Sequence, residues 1–272
     1  RSPVRTSSTP GKPSQKALSK TARVFLVAVF WLAVWEGVYL LLANDLLVVS
    51  PQAVIRRLGE LAKTANFWRS IGVSFGRVLL GYGIGTVAGL LLGAAGGWFP
   101  AIHSLLSPLL SVIKAAPVTS FVILALVWIK SRNLSIFIAF LVVFPQIYMS
   151  VFTGIKNAGP QLLEVAKVYR FSRMKTLKLC YLPAVRPLFK AAVSTAVGFA
   201  WKAGVAGEVL ALPRIGIGTM LRDAKVYLET LDVFCWTAVT ILLSLLVEKG
   251  ILFLAGGKRK KEGAPCPSSY PD

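Results

Sequence analysis

Six long apolar segments constrain the fold of this chain more than any other feature of its sequence. A helix that crosses the hydrocarbon core of a bilayer, roughly 30 Å thick, needs about 20 mostly apolar residues. Membrane helices tolerate internal prolines such as Pro117 and Pro145. The sequence therefore predicts an all-α, polytopic membrane protein with six transmembrane helices. The predicted spans lie at about 24–44, 71–97, 105–129, 134–155, 189–211 and 232–256.

The composition agrees with a membrane protein and disfavours other classes. Of the 272 residues, 55% are hydrophobic, and the formal net charge is +20. The basic residues stand between apolar runs and not among aromatic residues on one surface, so nucleic-acid binding is not favoured. The three cysteines, Cys180, Cys235 and Cys266, form no CxxC pair and have no neighbouring histidine. Neither a disulfide framework nor a metal site is therefore expected.

The distribution of Lys and Arg predicts the orientation, because basic loops resist translocation across the membrane. Basic residues dominate the N-terminus, the loop at about 156–188 and the C-terminal tail, whereas the other connections also carry acids. Both termini are therefore expected in the cytoplasm. We expect a disordered basic segment at 1–22, a transmembrane domain at 23–256 with its first span retained, and a basic tail at 257–272.

Glycines recur every four residues in the second predicted span. Gly85, Gly89, Gly93 and Gly97 share one helix face, and Gly72, Gly76 and Gly81 extend the pattern. Such a stripe lets a second backbone approach closely in lipid. It predicts close packing against another helix of the same chain, in preference to a seam between two copies.

The segment at 164–184, EVAKVYRFSRMKTLKLCYLPA, combines an acid, a small residue, a basic stretch and a Leu-Pro pair. It resembles the cytoplasmic EAA loop of permeases from bacterial ATP-binding-cassette importers. Glu164, Ala166, Leu182 and Pro183 match that pattern, whereas Val165 replaces its first alanine. Arg170 stands where the family has a glycine that permits a turn, so the geometry of this turn is left open.

The resemblance extends over about residues 46–250. The stretches VVSPQAVIRRLGELAKTANFW, LLSPLLSVIKAAPVTSFVILALVWI and WKAGVAGEVLALPRIGIG are similar to the nitrate, sulfonate and taurine branch of these permeases. The resemblance implies a type I importer permease in the bacterial cytoplasmic membrane. It also implies a second permease copy, two ATPase subunits and an external solute-binding protein as partners. ATP and Mg²⁺ would then be bound by the ATPase and not by this chain.

A short helix after Pro160 would supply the contact with the ATPase. We expect Glu164 in its first turn, where the helix dipole favours an acid. Val165, Val168 and Tyr169 would offer an apolar face, and Pro183 would mark the entry into the fifth span. By the resemblance, Val165, Ala166, Tyr169, Arg170, Leu182 and Pro183 join Glu164 as coupling residues. The alternative reading is a basic helix that binds anionic lipid.

No catalytic machinery is visible in the sequence. No GxxxxGK[ST] phosphate loop occurs, and no nucleophile and base can be assembled around His103, the single histidine. Charges inside predicted spans are more informative, because an ionisable group in hydrocarbon is costly. These are Glu36, Lys114, Lys202, Glu208 and Glu248.

We take Lys114, Pro117, Lys202 and Glu208 as candidate pathway residues. Lys114 would suit an anionic solute. Lys202 and Glu208 are six residues apart, so a direct pair between them is not expected. The alternative for each charge is snorkelling or packing between helices. An ion-driven secondary carrier and a membrane scaffold that transports nothing also remain open, as does the identity of the solute.

Overall fold

The computed structural model describes residues 20–42, 44 and 46–254, and every helix boundary below falls within them. The predicted C-terminal tail, most of the predicted disordered N-terminal segment, and Cys266 lie outside this part. Residues 20–22 of the segment expected to be disordered belong to the first helix. The helices in chain order are α1 Lys20–Leu42, α2 Pro51–Leu61, α3 Ala65–Trp98, α4 Pro100–Ala115, α5 Val118–Ala125, α6 Ser131–Lys156, α7 Pro160–Val168, α8 Arg173–Thr176, α9 Leu182–Ala211, α10 Ile217–Val226 and α11 Thr230–Leu254, with a π-helical turn at Leu177–Tyr181.

Four of these helices are long and apolar enough to cross a membrane by themselves, namely α1, α3, α6 and α11. The third predicted span is divided into α4 and α5, which meet at a bend of 104° near Pro117. The fifth predicted span lies within α9, a helix of 30 residues. Lys190, Lys202 and Glu208 lower the apolarity of α9, which is therefore not among the four.

The glycine contacts show that α3 and α6 run parallel. A Cβ placed on Gly85 would lie 2.9 Å from the Val143 Cβ, and one on Gly97 would lie 2.8 Å from the Ile155 Cβ. Residue numbers therefore rise together along the two helices. Two neighbouring parallel spans require the chain between them to return across the membrane. We infer that α4 and α5 together make one crossing, and not a loop that returns to the same side.

Helix α9 runs antiparallel to α6 along almost its full length. Near one end, a Cβ on Gly154 of α6 would lie 2.8 Å from the Val185 Cα. Near the other end, a Cβ on Gly204 of α9 would lie 3.2 Å from the Ser135 Oγ. Because α6 is a spanning helix, α9 crosses the same depth. Packing thus places α9 beside a spanning helix, where length and apolarity alone leave it out.

The core of the molecule lies where α3, α6, α9 and α11 meet. Fully buried residues such as Val143, Ile147 and Ala200 fill this interface, and Trp201 donates its indole N–H to the Thr240 carbonyl of α11 at 3.0 Å. By contrast, the apolar stretch of α1 has no buried residue. This is the exposure expected of a lipid-facing helix.

The short helix α2 is amphipathic and packs against the first turns of α11. The Ser50 hydroxyl caps its N-terminus by accepting the Ala53 N–H at 3.2 Å. The Arg57 guanidinium donates to both carboxylate oxygens of Asp232, at 2.7 and 3.1 Å. These charge-assisted bonds raise the pKa of Arg57 above its ordinary value. The pair therefore ties α2 to the start of α11.

Candidate functional site

The candidate coupling segment consists of α7 and the helical stretch that follows it. Helix α7 begins after Gly159 with Pro160 in its first turn. The N–H groups of a first turn have no acceptor within the helix, so the lack of an N–H in proline removes no hydrogen bond there. From Arg173 the chain is helical without interruption through α8, the π-helical turn and α9 to Ala211. The segment beyond the turn at Arg170 therefore continues directly into a spanning helix.

Glu164 lies in the second turn of α7, because the helix begins at Pro160 and its first turn contains no acid. The expected stabilisation by the helix dipole was therefore wrong, since that effect fades beyond the first turn. The Glu164 side chain is exposed, and it forms no ion pair within the described residues. Its carboxylate is free to meet a cation of another chain.

Most of the surface of α7 is exposed, and it includes four apolar side chains. Leu162, Val165, Val168 and Tyr169 are between 48% and 78% exposed. Ala166 lies next to Leu162 on the helix surface, since the two are four residues apart, yet it is buried at 4% exposed, so it marks the edge at which α7 contacts the rest of the chain. Only a small side chain allows the helix to lie this close to the rest of the chain. We name the face formed by Leu162, Val165, Val168 and Tyr169 the α7 apolar face.

Arg170 ends α7 in the conformation that the family's glycine would adopt. Its φ is +48°, in the left-handed region. The Phe171 N–H donates to the Ala166 carbonyl at 2.9 Å, and the Arg170 N–H donates to the Lys167 carbonyl at 3.1 Å. These two bonds form a Schellman motif with Arg170 at its left-handed position. The turn that the sequence left open is therefore made without glycine.

We expect Arg170→Gly to stabilise this turn. A side chain in the left-handed region costs about 1–2 kcal/mol, and the greater freedom of glycine in the unfolded chain offsets part of that gain. A net gain of about 0.5–1 kcal/mol would slow hydrogen exchange of the Phe171 amide about two- to fivefold. Lys167→Gly, inside α7, is the control and should accelerate that exchange. Faster exchange in Arg170→Gly would contradict the assignment.

The Leu182–Pro183 pair lies at the start of α9, on the surface of the molecule. Both side chains are exposed. The Leu182 N–H donates to the Leu177 carbonyl, five residues earlier, which closes the π-helical turn immediately before Pro183. Pro183 has no N–H for the normal helical hydrogen bond, and the wider π-helical turn before it allows the helix to continue without that bond. The helix thus passes through Pro183 into the span.

Glu208 lies at the centre of a buried polar cluster between α3, α9 and the connection to α10. Its side chain is 0% exposed, and Oε1 accepts from the Arg77 Nη1 at 3.0 Å. The Ser74 hydroxyl and the Gly218 N–H donate to Oε2. Arg77 Nη1 also donates to the Ile215 carbonyl at 2.8 Å. The structure thus gives Glu208 the packing role that the sequence offered as the alternative.

Ser74 and Arg77 were missed by the sequence reasoning, although Arg77 is a charge inside the second predicted span. The available signal was the cost of an ionisable group in that position. The predicted lack of a pair between Lys202 and Glu208 agrees with the structure, because Glu208 pairs with Arg77 instead.

Lys114 and Pro117 lie at the break between α4 and α5. Lys114 is in the last turn of α4, and Pro117 directly precedes α5. Both are exposed. Lys114 borders a cleft of about 250 Å³ whose other walls come from α5 and α6, including Phe121, Pro145 and Gln146. The Lys114 ammonium group therefore lies beside this cleft, next to the bend between α4 and α5.

Lys202 borders two adjoining clefts between α9 and α11. The first, of about 190 Å³, is lined by Ser194, Thr195, Gly198, Phe199, Lys202 and Glu248. The second, of about 290 Å³, adds Thr240 and Ser244 of α11 and again includes Lys202 and Glu248. We call them together the α9–α11 cleft. Lys202 and Lys114 thus border separate spaces within this chain.

The remaining candidate groups form no reactive centre. The His103 Nδ1 lies 3.0 Å from the hydroxyl of the buried Tyr148, and the His103 ring stacks on Phe152 at 3.9 Å between centroids. These contacts pack the start of α4 against α6. No group of three or more His, Cys, Asp or Glu side chains that could hold a metal occurs among the residues described.

Comparison with known proteins identifies the family. The profile described as binding-protein-dependent transport system inner membrane component matches residues 85–249. The taurine transport system permease protein of Escherichia coli strain K12 is 26% identical over 237 residues, which cover 85% of this chain and 86% of that protein.

Two further relatives have the same kind of role. The putative aliphatic sulfonates transport permease protein of Bacillus subtilis strain 168 is 25% identical over 89% of this chain and 88% of its own. The bicarbonate transport system permease protein of a Synechocystis strain is 26% identical over 69% and 67%. The chain therefore belongs to the family of binding-protein-dependent transport system inner membrane components, and it is a multi-pass permease subunit of an ATP-binding-cassette transporter, in which a separate chain hydrolyses ATP.

Proposed function

We propose that this permease imports a small polar anion and that α7 is its contact with the ATPase. The observation that carries the proposal is the α7 apolar face, formed by Leu162, Val165, Val168 and Tyr169, which is exposed on a short helix in the basic loop between two spans. Exposed apolar side chains on a protein loop favour a protein partner over water. Ala166, buried at the edge of this face, lets α7 lie close to its own subunit.

The backbone connects α7 directly to the spanning helix α9, so a movement of α7 can reach the membrane domain. Helix α7 ends in the Schellman motif at Arg170, and from Arg173 a continuous helical stretch runs to Ala211. A movement of α7 would therefore be passed to α9, which packs against α6, α3 and α11. Alternating access would follow if closure of two ATPases moved the two α7 helices of a permease pair.

The basic residues and the names of the relatives support an anionic solute. The relatives are named for taurine, aliphatic sulfonates and bicarbonate, all of which carry an acidic group. Lys114 and Lys202 border the two clefts and could offset a negative charge inside the membrane. We propose both as pathway residues, with Pro117 placing Lys114 at the break. Glu208 is not retained, because Arg77 and Ser74 already satisfy its carboxylate.

The proposed assembly contains two copies of this permease, two ATPase subunits that bind ATP and Mg²⁺, and an external solute-binding protein. Within the described residues, α9 exposes a stripe that includes Thr195, Phe199, Lys202 and Ala206. A lysine in such a stripe should face another subunit or an aqueous lumen and not lipid. The basic loop and the six crossings support an orientation with both termini in the cytoplasm.

Charge reversal at Glu164 should weaken the contact with the ATPase. Glu164→Lys would leave the exposed surface of α7 with only basic charges, beside Lys167 and Arg170. We expect solute-stimulated ATPase activity and copurification of the ATPase to fall about tenfold, which corresponds to about 1.4 kcal/mol of binding free energy. Both are measured on the complex in proteoliposomes with its binding protein.

Glu229→Lys is the matched control, because Glu229 is also exposed but lies in the connection before α11, on the other side of the membrane. It should leave copurification of the ATPase near the wild-type value, and this is the readout compared between the two variants, because the solute-binding protein acts on the side where Glu229 lies. Unchanged stimulated ATPase activity in Glu164→Lys would count against the role of α7. Uptake that persisted without any ATPase and collapsed with an ion gradient would favour the secondary carrier instead.

A further inference from the structure

The start of α9 carries two cations that are not neutralised by an acid of the chain. Arg186 is exposed, and Lys190, about one turn further along the helix, is half-buried. Neither forms an ion pair within the described part of the chain. The sequence between Glu164 and Glu208 contains no Asp or Glu, so no acid lies near them along the chain. A counter-charge for these cations therefore comes from another molecule.

The packing of α9 places Arg186 at the edge of the hydrocarbon core. A Cβ on Gly154, two residues before the end of α6, would lie 2.8 Å from the Val185 Cα. Since α6 has 26 residues and is about 39 Å long, its ends reach a few ångströms beyond a core of roughly 30 Å. At this same end the rings of Trp98 and Tyr181 meet edge-on, with 6.0 Å between centroids. Trp and Tyr collect where the core meets the headgroups, which supports this level.

Lys190 lies about 6 Å deeper than Arg186, because it follows Arg186 by four residues. An extended lysine side chain can reach that far back toward the interface. Positions four residues apart share a helix face, so both cationic groups can approach one anion at the headgroup level. A basic address for topology alone is satisfied by charges in the water-exposed loop. A lysine below the interface is costly unless an anion or water meets it.

The two cations lie on the side of α9 opposite to the stripe that we assign to another subunit or an aqueous lumen. Thr195 of that stripe follows Arg186 by nine residues, and Phe199 follows Lys190 by nine. Nine residues are two and a half helical turns, which reverses the direction of a side chain. The cations are therefore not part of that stripe, and the surface around them is open to lipid.

Helix α3 borders this side of α9 and supplies an apolar surface. Val193 follows Arg186 by about two turns on the same side, and its carbonyl accepts the Tyr82 hydroxyl of α3 at 3.0 Å. Leu91 precedes Trp98 by about two turns on α3, so it shares the side on which Trp98 meets α9, and it is 64% exposed. Leu91 thus lies within the hydrocarbon core, below the level of the two cations, where an acyl chain can cover it.

We propose that Arg186 and Lys190 form a binding site for an anionic phospholipid between α3 and the start of α9. The two side chains bind the phosphate near Trp98 and Tyr181, and one acyl chain lies against Leu91. Charge complementarity at the bilayer edge favours a lipid over a protein, because each cation near the surface strengthens the attraction to anionic headgroups. A zwitterionic headgroup offsets its phosphate with its own ammonium group and should bind more weakly. The site is independent of the solute and of the contact between α7 and the ATPase.

The test is native mass spectrometry of the purified permease–ATPase complex. The probes are dioleoyl phosphatidylglycerol and dioleoyl phosphatidylcholine, which share their acyl chains and differ in headgroup charge. We expect the wild-type complex to bind its first phosphatidylglycerol at least about tenfold more tightly than phosphatidylcholine, the equivalent of about 1.4 kcal/mol. Arg186→Gln and Lys190→Gln should each lower the affinity for phosphatidylglycerol about fivefold. The double variant should bind the two lipids equally.

Arg173→Gln is the matched control, because it removes an exposed arginine of the same basic loop, about 20 Å before Arg186 along the helical stretch. It should keep the wild-type preference. The exchange of Arg186→Lys with Lys190→Arg retains both charges and should keep the preference as well, which separates loss of charge from loss of fold.

Three results would overturn the inference. The first is a wild-type complex without a preference, which is expected if acids of the ATPase cover the two cations. The second is a preference that survives in the double glutamine variant or falls equally in Arg173→Gln, since either result would indicate a general attraction to the basic loop. The third is binding of glycerol 1-phosphate as tight as that of phosphatidylglycerol, which would assign the site to a soluble phosphate.

Discussion

Glu208→Ala is expected to destabilise the permease by about 3–5 kcal/mol, because it leaves a buried guanidinium without its counter-charge. Arg77 is 11% exposed, and its Nη1 is shared between the Glu208 carboxylate and the Ile215 carbonyl. The change would also remove the acceptor for the Ser74 hydroxyl and the Gly218 N–H. The loss should appear as a lower free energy of unfolding and a lower midpoint of thermal unfolding in detergent.

The same cluster also explains why the connection between α9 and α10 approaches so closely. A Cβ on Gly218 would lie 2.5 Å from the Val209 backbone nitrogen, so only glycine fits at this point of the connection. The Ile217 N–H donates to the Ser74 hydroxyl at 2.9 Å. Loss of the carboxylate would therefore loosen this connection as well as the pairing of α3 with α9.

The double variant Arg77→Met with Glu208→Met separates loss of an ion pair from loss of one charge. Replacing both partners by apolar side chains of similar size is often neutral, whereas removing one is not. The double variant should therefore recover most of the stability lost in Glu208→Ala. If both variants were equally unstable, the pair itself and not the orphaned charge would be the main contribution. If Glu208→Ala kept the stability of the wild type, the buried polar cluster would not be needed to stabilise the fold.

Gly93→Ala should destabilise the contact between α3 and α6 by about 1–3 kcal/mol, the range for overpacking a tight interface. A Cβ at this position would lie 2.7 Å from the Tyr148 carbonyl oxygen and 3.0 Å from the Val151 Cβ. The carbonyl belongs to the backbone of α6, so the strain is relieved only if the helices move apart. The measurement is the free energy of unfolding in detergent.

Gly83→Ala is the matched control on the same helix. Nothing lies within 4 Å of the position of its Cβ, so the added methyl group meets no neighbour. Since alanine favours a helix over glycine by about 1 kcal/mol, this variant should equal or exceed wild-type stability. Equal losses in both variants would indicate that the glycines act through helix propensity and not through the contact with α6.

The glycine pattern shows where sequence reasoning went too far. Gly85, Gly89, Gly93 and Gly97 all lie against α6, as does Gly81. By contrast, Gly72 and Gly76, which extend the spacing, have nothing within 4 Å of an added Cβ. A four-residue repeat defines a helix face, but the neighbouring helix covers only part of that face.

The charged residues inside the predicted spans show the same limit of sequence reasoning. Their positions could be read from the sequence, because a charge inside an apolar run is conspicuous. Their partners could not, because Glu208 pairs with Arg77 across 131 positions of chain. Glu248 and Lys202 line the same cleft because α9 and α11 run antiparallel, with Gly198 near Glu248 and Trp201 bonded to Thr240. Contacts between distant segments depend on how the helices are arranged, which periodicity within one segment does not encode.

By itself, the sequence determined the membrane class, the spans that are uniformly apolar, and the position of the loop that carries Glu164 and Pro183. These properties depend on local hydrophobicity and spacing, so they are present in each segment alone. Only the tertiary structure showed that α3 and α6 run parallel, that α4 and α5 meet at a sharp bend, and that α9 packs antiparallel to α6. Only it showed that Arg170 adopts the turn of a glycine and that Glu208 is structural. The physical reason is that helix direction, backbone strain and charge pairing depend on which distant atoms meet after packing.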